Sequence, residues 1–128
     1  MHRLKDNRPV YLDLFRIRLP VMGIVSLLHR VSGVLMFLSI PFAAWLLDQS
    51  VSSPQGFERV LELLNQPLLK IAQLLLVWSL AHHLFAGIRF FLIDFDIGVE
   101  KPGARLGSWL VLGAEIIVLL LFIVMVWL

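Results

Sequence analysis

Three groups of polar residues interrupt a chain otherwise fit for lipid, and each has residue types and spacing that could do chemistry. The first is Ser26-Leu27-Leu28-His29-Arg30-Val31-Ser32-Gly33, set in a stretch from Leu19 to Leu47 whose ionisable residues are His29 and Arg30 alone. An arginine at the centre of a spanning helix costs roughly 2.5–3.5 kcal/mol, and less near an end where it can snorkel. Such residues persist where they face a partner, a cofactor or a watery cavity. Ser26, His29, Arg30 and Gly33 follow the i, i+3, i+4, i+7 rhythm of one helix face. That face would carry a hydroxyl, an imidazole, a guanidinium and a gap where something bulky can approach. The second group is His82-His83, deep in another apolar run. The third is Glu115, the one charged residue between Leu106 and Leu128.

Adjacent helix positions point about 100° apart, so His82 and His83 cannot both ligate one ion from one side. One can be a ligand while the other packs or hydrogen-bonds. Gly87 stands i+4 from His83 and would leave room on that face for a flat macrocycle. A neutral imidazole in a dry helical bundle suits an axial position on haem iron. The competing reading makes both histidines satisfied interior residues bonded to hydroxyls or carbonyls. A haem at this depth would need cations for its propionates, and arginine matches a carboxylate with two parallel hydrogen bonds. Against that, Arg30 could snorkel to headgroups or pair with an acid in a neighbouring chain. Glu115 lies nine residues past Leu106, much as His83 lies nine before Leu92, so the two share a depth. A proton relay is one reading of Glu115. A neutral or hydrogen-bonded structural acid is the other, with His82 as the nearest candidate partner.

The elements that must position these residues follow from composition. In 128 residues, 59% are hydrophobic, well above the roughly 45–50% of a soluble domain. Cysteine is absent, which excludes disulfides and thiolate-held metals. The expected fold class is all-α and integral to the membrane, a single unit with three transmembrane helices and a short amphipathic surface helix in the first loop. The expected segments are a lead-in at 1–19, a first span at 20–47, a loop at 48–66, a second span at 67–93, a loop at 94–105 and a third span at 106–128. The 18 residues from Ile71 to Ile88 carry no charge, which meets the length of a spanning core. Pro41 predicts a kink near Phe37–Pro41. Ser53-Pro54 reads as an N-cap and first helical residue, followed by Phe57, Val60, Leu61 and Leu64 at helical spacing. Arg8-Pro9-Val10 reads as extended, with a short surface helix over Tyr11–Arg18 as the alternative. Trp45, Trp109 and Trp127 suit interfacial belts, while Trp78 is deep enough to pack inside the bundle.

Charge sets the expected orientation. Arg3, Lys5, Arg8, Arg16 and Arg18 crowd the first 18 residues, and Arg89, Lys101 and Arg105 flank the second loop, against Arg59 and Lys70 around the first. The positive-inside rule then places the N-terminus and the 94–105 loop in the cytoplasm, with the C-terminus outside. No cleavable signal peptide is expected. The basic crowding is explained by orientation, and nucleic acid is not an expected partner.

Two spaced motifs carry a resemblance over nearly the whole chain. They are Arg8-Pro9-Val10 with Leu14 and Ser26-Leu27-Leu28-His29-Arg30-Val31-Ser32-Gly33, and His83-Leu84-Phe85-Ala86-Gly87-Ile88-Arg89 with Asp94. The Ser52-Ser53-Pro54-Gln55-Gly56-Phe57 loop extends them. In these the chain resembles the cytochrome b subunits of succinate dehydrogenase, the larger membrane anchors of respiratory complex II. The resemblance implies a bacterial-type inner-membrane subunit that works with a flavoprotein, an iron–sulfur protein and a second anchor. It implies one haem b shared between the anchors, with His83 as this chain's axial iron ligand and His29 and Arg30 reaching the propionates. It implies a ubiquinone site lined by Ser26, Arg30 and Asp94, and no succinate-oxidising site in this chain. Phe90 stands where many relatives have a histidine, and His82 and Glu115 match no motif of the family. The readings from other classes are a haem-free structural anchor and a small proton-conducting subunit built on His82, His83 and Glu115.

Overall fold

A computed structural model describes residues 17–127. The expectations for Arg8-Pro9-Val10 and for Tyr11–Arg18 fall outside, or mostly outside, the described residues. Four helices follow one another: α1 Val21–Ser52, α2 Pro54–Leu64, α3 Pro67–Asp94 and α4 Lys101–Trp127. Among the described residues there is no strand. Three of these helices, α1, α3 and α4, are long and apolar enough to cross a membrane. In lipid a helix satisfies every backbone group within itself, which is why long apolar runs adopt this state.

The helices outrun the apolar stretches that announced them. Helix α1 continues through Pro41 and past Asp48 to Ser52, because polar residues beyond the lipid edge keep their helical hydrogen bonds. A single residue, Ser53, then separates α1 from α2. Its hydroxyl accepts the Gly56 N–H at 3.0 Å, with Pro54 in the first turn, as the capping pattern predicts. A Cβ at Gly56 would strike the Gln49 carbonyl, so only glycine lets α2 fold back this closely on the end of α1. Helix α4 begins at Lys101, within the stretch read from hydropathy as a polar connection. Pro102 is tolerated in that first turn, where its missing N–H has no helical partner. The chain between α3 and α4 turns with Asp96 at φ 60° and Gly98 at φ 75°. A Cβ on Gly103 would sit 3.1 Å from the Gly98 Cα, so this turn packs glycine on glycine.

Helix α3 lies between α1 and α4 and packs against both. The seam is built from small residues: Ser32 and Val25 on α1, Ser79, Ala81 and Ala86 on α3, and Ser108 and Val111 on α4 are all buried. Lipid removes most of the hydrophobic drive for helix association, so close backbone approach through small side chains takes its place. The serine hydroxyls are satisfied within their own helices, Ser79 donating to the Leu75 carbonyl at 2.9 Å and Ser108 to the Ala104 carbonyl at 2.8 Å. Outward faces are apolar instead: Phe37, Leu68 and Met125 are 70, 75 and 83% exposed. A surface of that kind needs lipid or other helices around it. Trp45, Trp109 and Trp127 are exposed, whereas Trp78 is half-buried with its ring 5.6 Å from that of His82.

Candidate functional site

His82 and His83 differ in their partners more than in their position. His82 is fully buried. Its Nδ1 is hydrogen-bonded to Glu115 Oε2 on α4, and its Nε2–H donates to the Val25 carbonyl on α1 at 3.2 Å. The expected contact between His82 and Glu115 is therefore present, and it extends to a third helix. Both ring nitrogens are engaged, so His82 has no lone pair free for a metal. Glu115 is 6% exposed and faces this histidine, not lipid.

His83 is half-buried and turned toward α1. Its Nδ1 lies 3.1 Å from the His29 carbonyl oxygen and 3.2 Å from Ser32 Oγ, while Ser32 Oγ–H donates to that same carbonyl at 2.8 Å. The carbonyl has no proton to give and the serine proton is already directed at it. Nδ1 must then carry the hydrogen that the two oxygens share. That tautomer leaves the lone pair on Nε2, which has no hydrogen-bond partner among the described residues. An iron-binding imidazole has this arrangement, one nitrogen tied to a carbonyl and the other free for the metal. The donor set at His83 thus fits an axial haem ligand, and that at His82 does not. Among the described residues no three His, Asp or Glu side chains converge as an ion cage. An apolar groove of about 440 Å³ runs beside His83, bounded by Met36 on α1, Leu80 and Leu84 on α3, and Val118 on α4.

The face expected of Ser26, His29, Arg30 and Gly33 is divided by the packing. The line of α1 that meets α3 is Val25, His29, Ser32 and Gly33; Arg30 is exposed and Ser26 half-buried beside it. The His29 ring stacks on that of His83, with centroids 4.0 Å apart and planes 15° apart, and meets Phe90 edge-on at 5.2 Å. A Cβ on Gly87 would lie 3.7 Å from His29 Nε2, so the space expected there for a macrocycle is filled by the imidazole of α1. Gly33 is the closer constraint, since a Cβ there would sit 3.0 Å from His83 Cε1. Asp94, the last residue of α3, is exposed, and among the described residues no ion pair joins it to Arg30. Arg89 reaches across to α4, where Nη2 donates to the Ala104 carbonyl at 3.4 Å and its stem packs on Gly107.

Sequence reasoning passed over Ser32 and Val25 as site-forming residues. Their signal was the spacing Val25, His29, Ser32, which is i, i+4, i+7 and marks the inward line of α1. Backbone carbonyls give no signal of their own in a sequence, and two of them hold the two histidines.

The comparisons with known proteins agree with this architecture. The family model for the transmembrane subunit of succinate dehydrogenase and fumarate reductase matches residues 5–122. The succinate dehydrogenase cytochrome b556 subunit of Coxiella burnetii is 33% identical over 125 residues, covering 97% of this chain and all of that one. Its namesake from Paracoccus denitrificans is 28% identical over 120 residues, 94% of this chain and 92% of the relative. A succinate dehydrogenase hydrophobic membrane anchor subunit of Archaeoglobus fulgidus is 28% identical over 78 residues, 61% and 67% of the two chains. With three apolar helices long enough to span a bilayer and a family match over most of its length, this chain belongs to the transmembrane subunits of the succinate dehydrogenase/fumarate reductase family.

Proposed function

We propose that the chain is the haem-carrying anchor of a succinate:ubiquinone oxidoreductase. It would bind haem b through His83 together with an imidazole from a second anchor, and form part of the site where ubiquinone is reduced. The observation that carries this reading is the pair of oxygens at His83 Nδ1, the His29 carbonyl at 3.1 Å and Ser32 Oγ at 3.2 Å, which engage that nitrogen and leave Nε2 for the metal. The naming of two similar bacterial proteins as cytochrome b556 subunits supports it. The haem supplies a one-electron centre within the bilayer, and the chain supplies the ligand, an apolar wall along α3 and a cation at the rim. Arg30 is exposed on α1 and would meet a propionate or a quinone oxygen with a forked pair of hydrogen bonds. Ser26 stands one turn away from Arg30 on the same side of α1 and adds a hydroxyl. Charge developing on a quinone carbonyl during reduction would be stabilised by both. Asp94 would complete the quinone region from the end of α3.

A flavoprotein and an iron–sulfur subunit would deliver electrons from succinate on the cytoplasmic side, where the basic lead-in and the α3–α4 turn lie in this reading. Residues 1–128 would act as a single anchor domain, with α2 resting its Val60 side on the end of α1 and lying at the opposite membrane surface. The decisive experiment compares two variants of the purified complex. His83→Ala removes the bis-imidazole signature from the reduced absorption spectrum, whereas haem retained by His82→Ala keeps it. Loss of that signature from the His82 variant alone would overturn the assignment.

A further inference from the structure

The buried pair of His82 and Glu115 has no part in the electron path just described, and yet it occupies the centre of the bundle. We infer that Glu115 and His82 form a positioning clamp that sets the rotation of α3 and so aims His83 at the haem; this rests on the haem reading above. The small residues along the seam fit closely but specify rotation poorly, because serine and alanine present nearly the same profile at several registers. Hydrogen bonds lift that degeneracy, as single buried polar groups do when they fix register in other helical assemblies. Two carbonyls one turn apart on α1, those of Val25 and His29, accept from the two consecutive imidazoles of α3. Side chains about 100° apart can both meet one neighbouring helix only over a narrow range of rotation. Glu115 narrows it further from the α4 side by occupying the remaining nitrogen of His82.

The clamp also accounts for its own burial. Because His82 Nε2–H is given to a carbonyl, Nδ1 either accepts from a protonated Glu115 or donates to a carboxylate. Both arrangements hold the same number of protons and leave the pair neutral overall, so no isolated charge stands in the dry interior. Glu115 touches neither the proposed haem nor the quinone region, and acts through His82 on its neighbour. It is a positioning residue.

The test uses the intact complex with two readouts. The ferric low-spin electron paramagnetic resonance signal reports the orientation of the axial imidazole planes. The rate of disulfide formation between cysteines introduced at 89 and 107 reports the α3–α4 register without reference to haem. The chain has no cysteine of its own, and a Cβ at Gly107 would lie 3.8 Å from the Arg89 Cγ. Glu115→Ala and His82→Ala are expected to shift the low-spin signal, to lower haem retention about tenfold, and to slow the disulfide several-fold. Glu115→Gln, which can still hydrogen-bond to Nδ1, restores both readouts. Should the alanine variants fail to assemble, Glu115→Asp keeps the acid but shortens its arm, and must move both readouts the same way. Unchanged signals in the alanine variants or in Glu115→Asp overturn the clamp, as does a Gln variant as damaged as the Ala variant. If the unmodified complex gives no haem signal, the haem reading falls and the disulfide rates alone decide whether the clamp sets the register.

Discussion

Two identical side chains at consecutive positions divide here into a buried strut with both nitrogens engaged and a ring engaged through Nδ1 alone, the proposed ligand. That makes the carbonyl of His29 and the hydroxyl of Ser32 the groups to perturb. Ser32→Ala leaves the carbonyl in place but removes the oxygen that shares the His83 Nδ1–H. We expect haem to be kept with a shifted midpoint potential, read by redox titration of the purified complex. Gly33→Val is expected to do more. Its Cβ alone would lie 3.0 Å from His83 Cε1, and the branched side chain leaves the ring no room to give, so the haem-to-protein ratio should fall. At the rim, Ser26→Ala and Arg30→Leu each remove a donor to the proposed quinone. Quinone reduction should fall by about tenfold or more with the arginine change, the scale of a lost charge-assisted hydrogen bond. Succinate oxidation by an artificial acceptor that takes electrons upstream should be spared, and equal loss in both assays would count against a quinone role.

At the scale of elements, the ends of helices follow hydrogen bonding and close approach, not hydropathy. The apolar run stops near Leu47, but α1 goes on to Ser52 because nothing there interrupts its ladder. The start of α2 is held by two features that can be tested apart. Ser53→Ala removes the cap to the Gly56 N–H and should cost about 0.5–2 kcal/mol. Gly56→Ala drives a methyl group into the Gln49 carbonyl, which is backbone and cannot move aside cheaply, so its cost should be the larger. Thermal unfolding of the detergent-solubilised complex ranks the two, and the opposite order would mean that α2 is held mainly by its cap. Two side-chain bonds pin the start of α3, one to the end of α2 and one to the end of α4. Gln73 Nε2 donates to the Leu64 carbonyl at 2.7 Å, and Lys70 Nζ donates to the Val126 carbonyl at 3.4 Å, a cation at a helix C-terminus where the dipole favours it.

At the scale of the molecule, the charge asymmetry yields a prediction about topology that no packing detail alters. With the chain free of cysteine, Glu100→Cys and Glu58→Cys give single labelling sites at exposed positions on opposite ends of the bundle. In intact spheroplasts an impermeant maleimide should label position 58 and reach position 100 only after lysis. The reverse pattern would invert the anchor and move the proposed quinone rim away from the side where the proposed electron-delivering subunits dock. The all-α class, the three apolar helices and the Ser53 cap were legible from residue type alone, because lipid imposes one backbone solution and capping is local chemistry. Depth was legible too, since rise per residue is constant, and it paired Glu115 with His82 across 33 positions. Rotation was not. Which side of α1 faces α3 depends on how small residues interlock, and one residue of rotation turns the inward line from Ser26 and Arg30 to Val25 and His29. The assignment of His29 to the gap beside Gly87, and of two backbone carbonyls to two imidazoles, arises only when three helices close on one another. Carbonyls are the same at every position in a sequence, and only tertiary packing decides which of them meets a histidine.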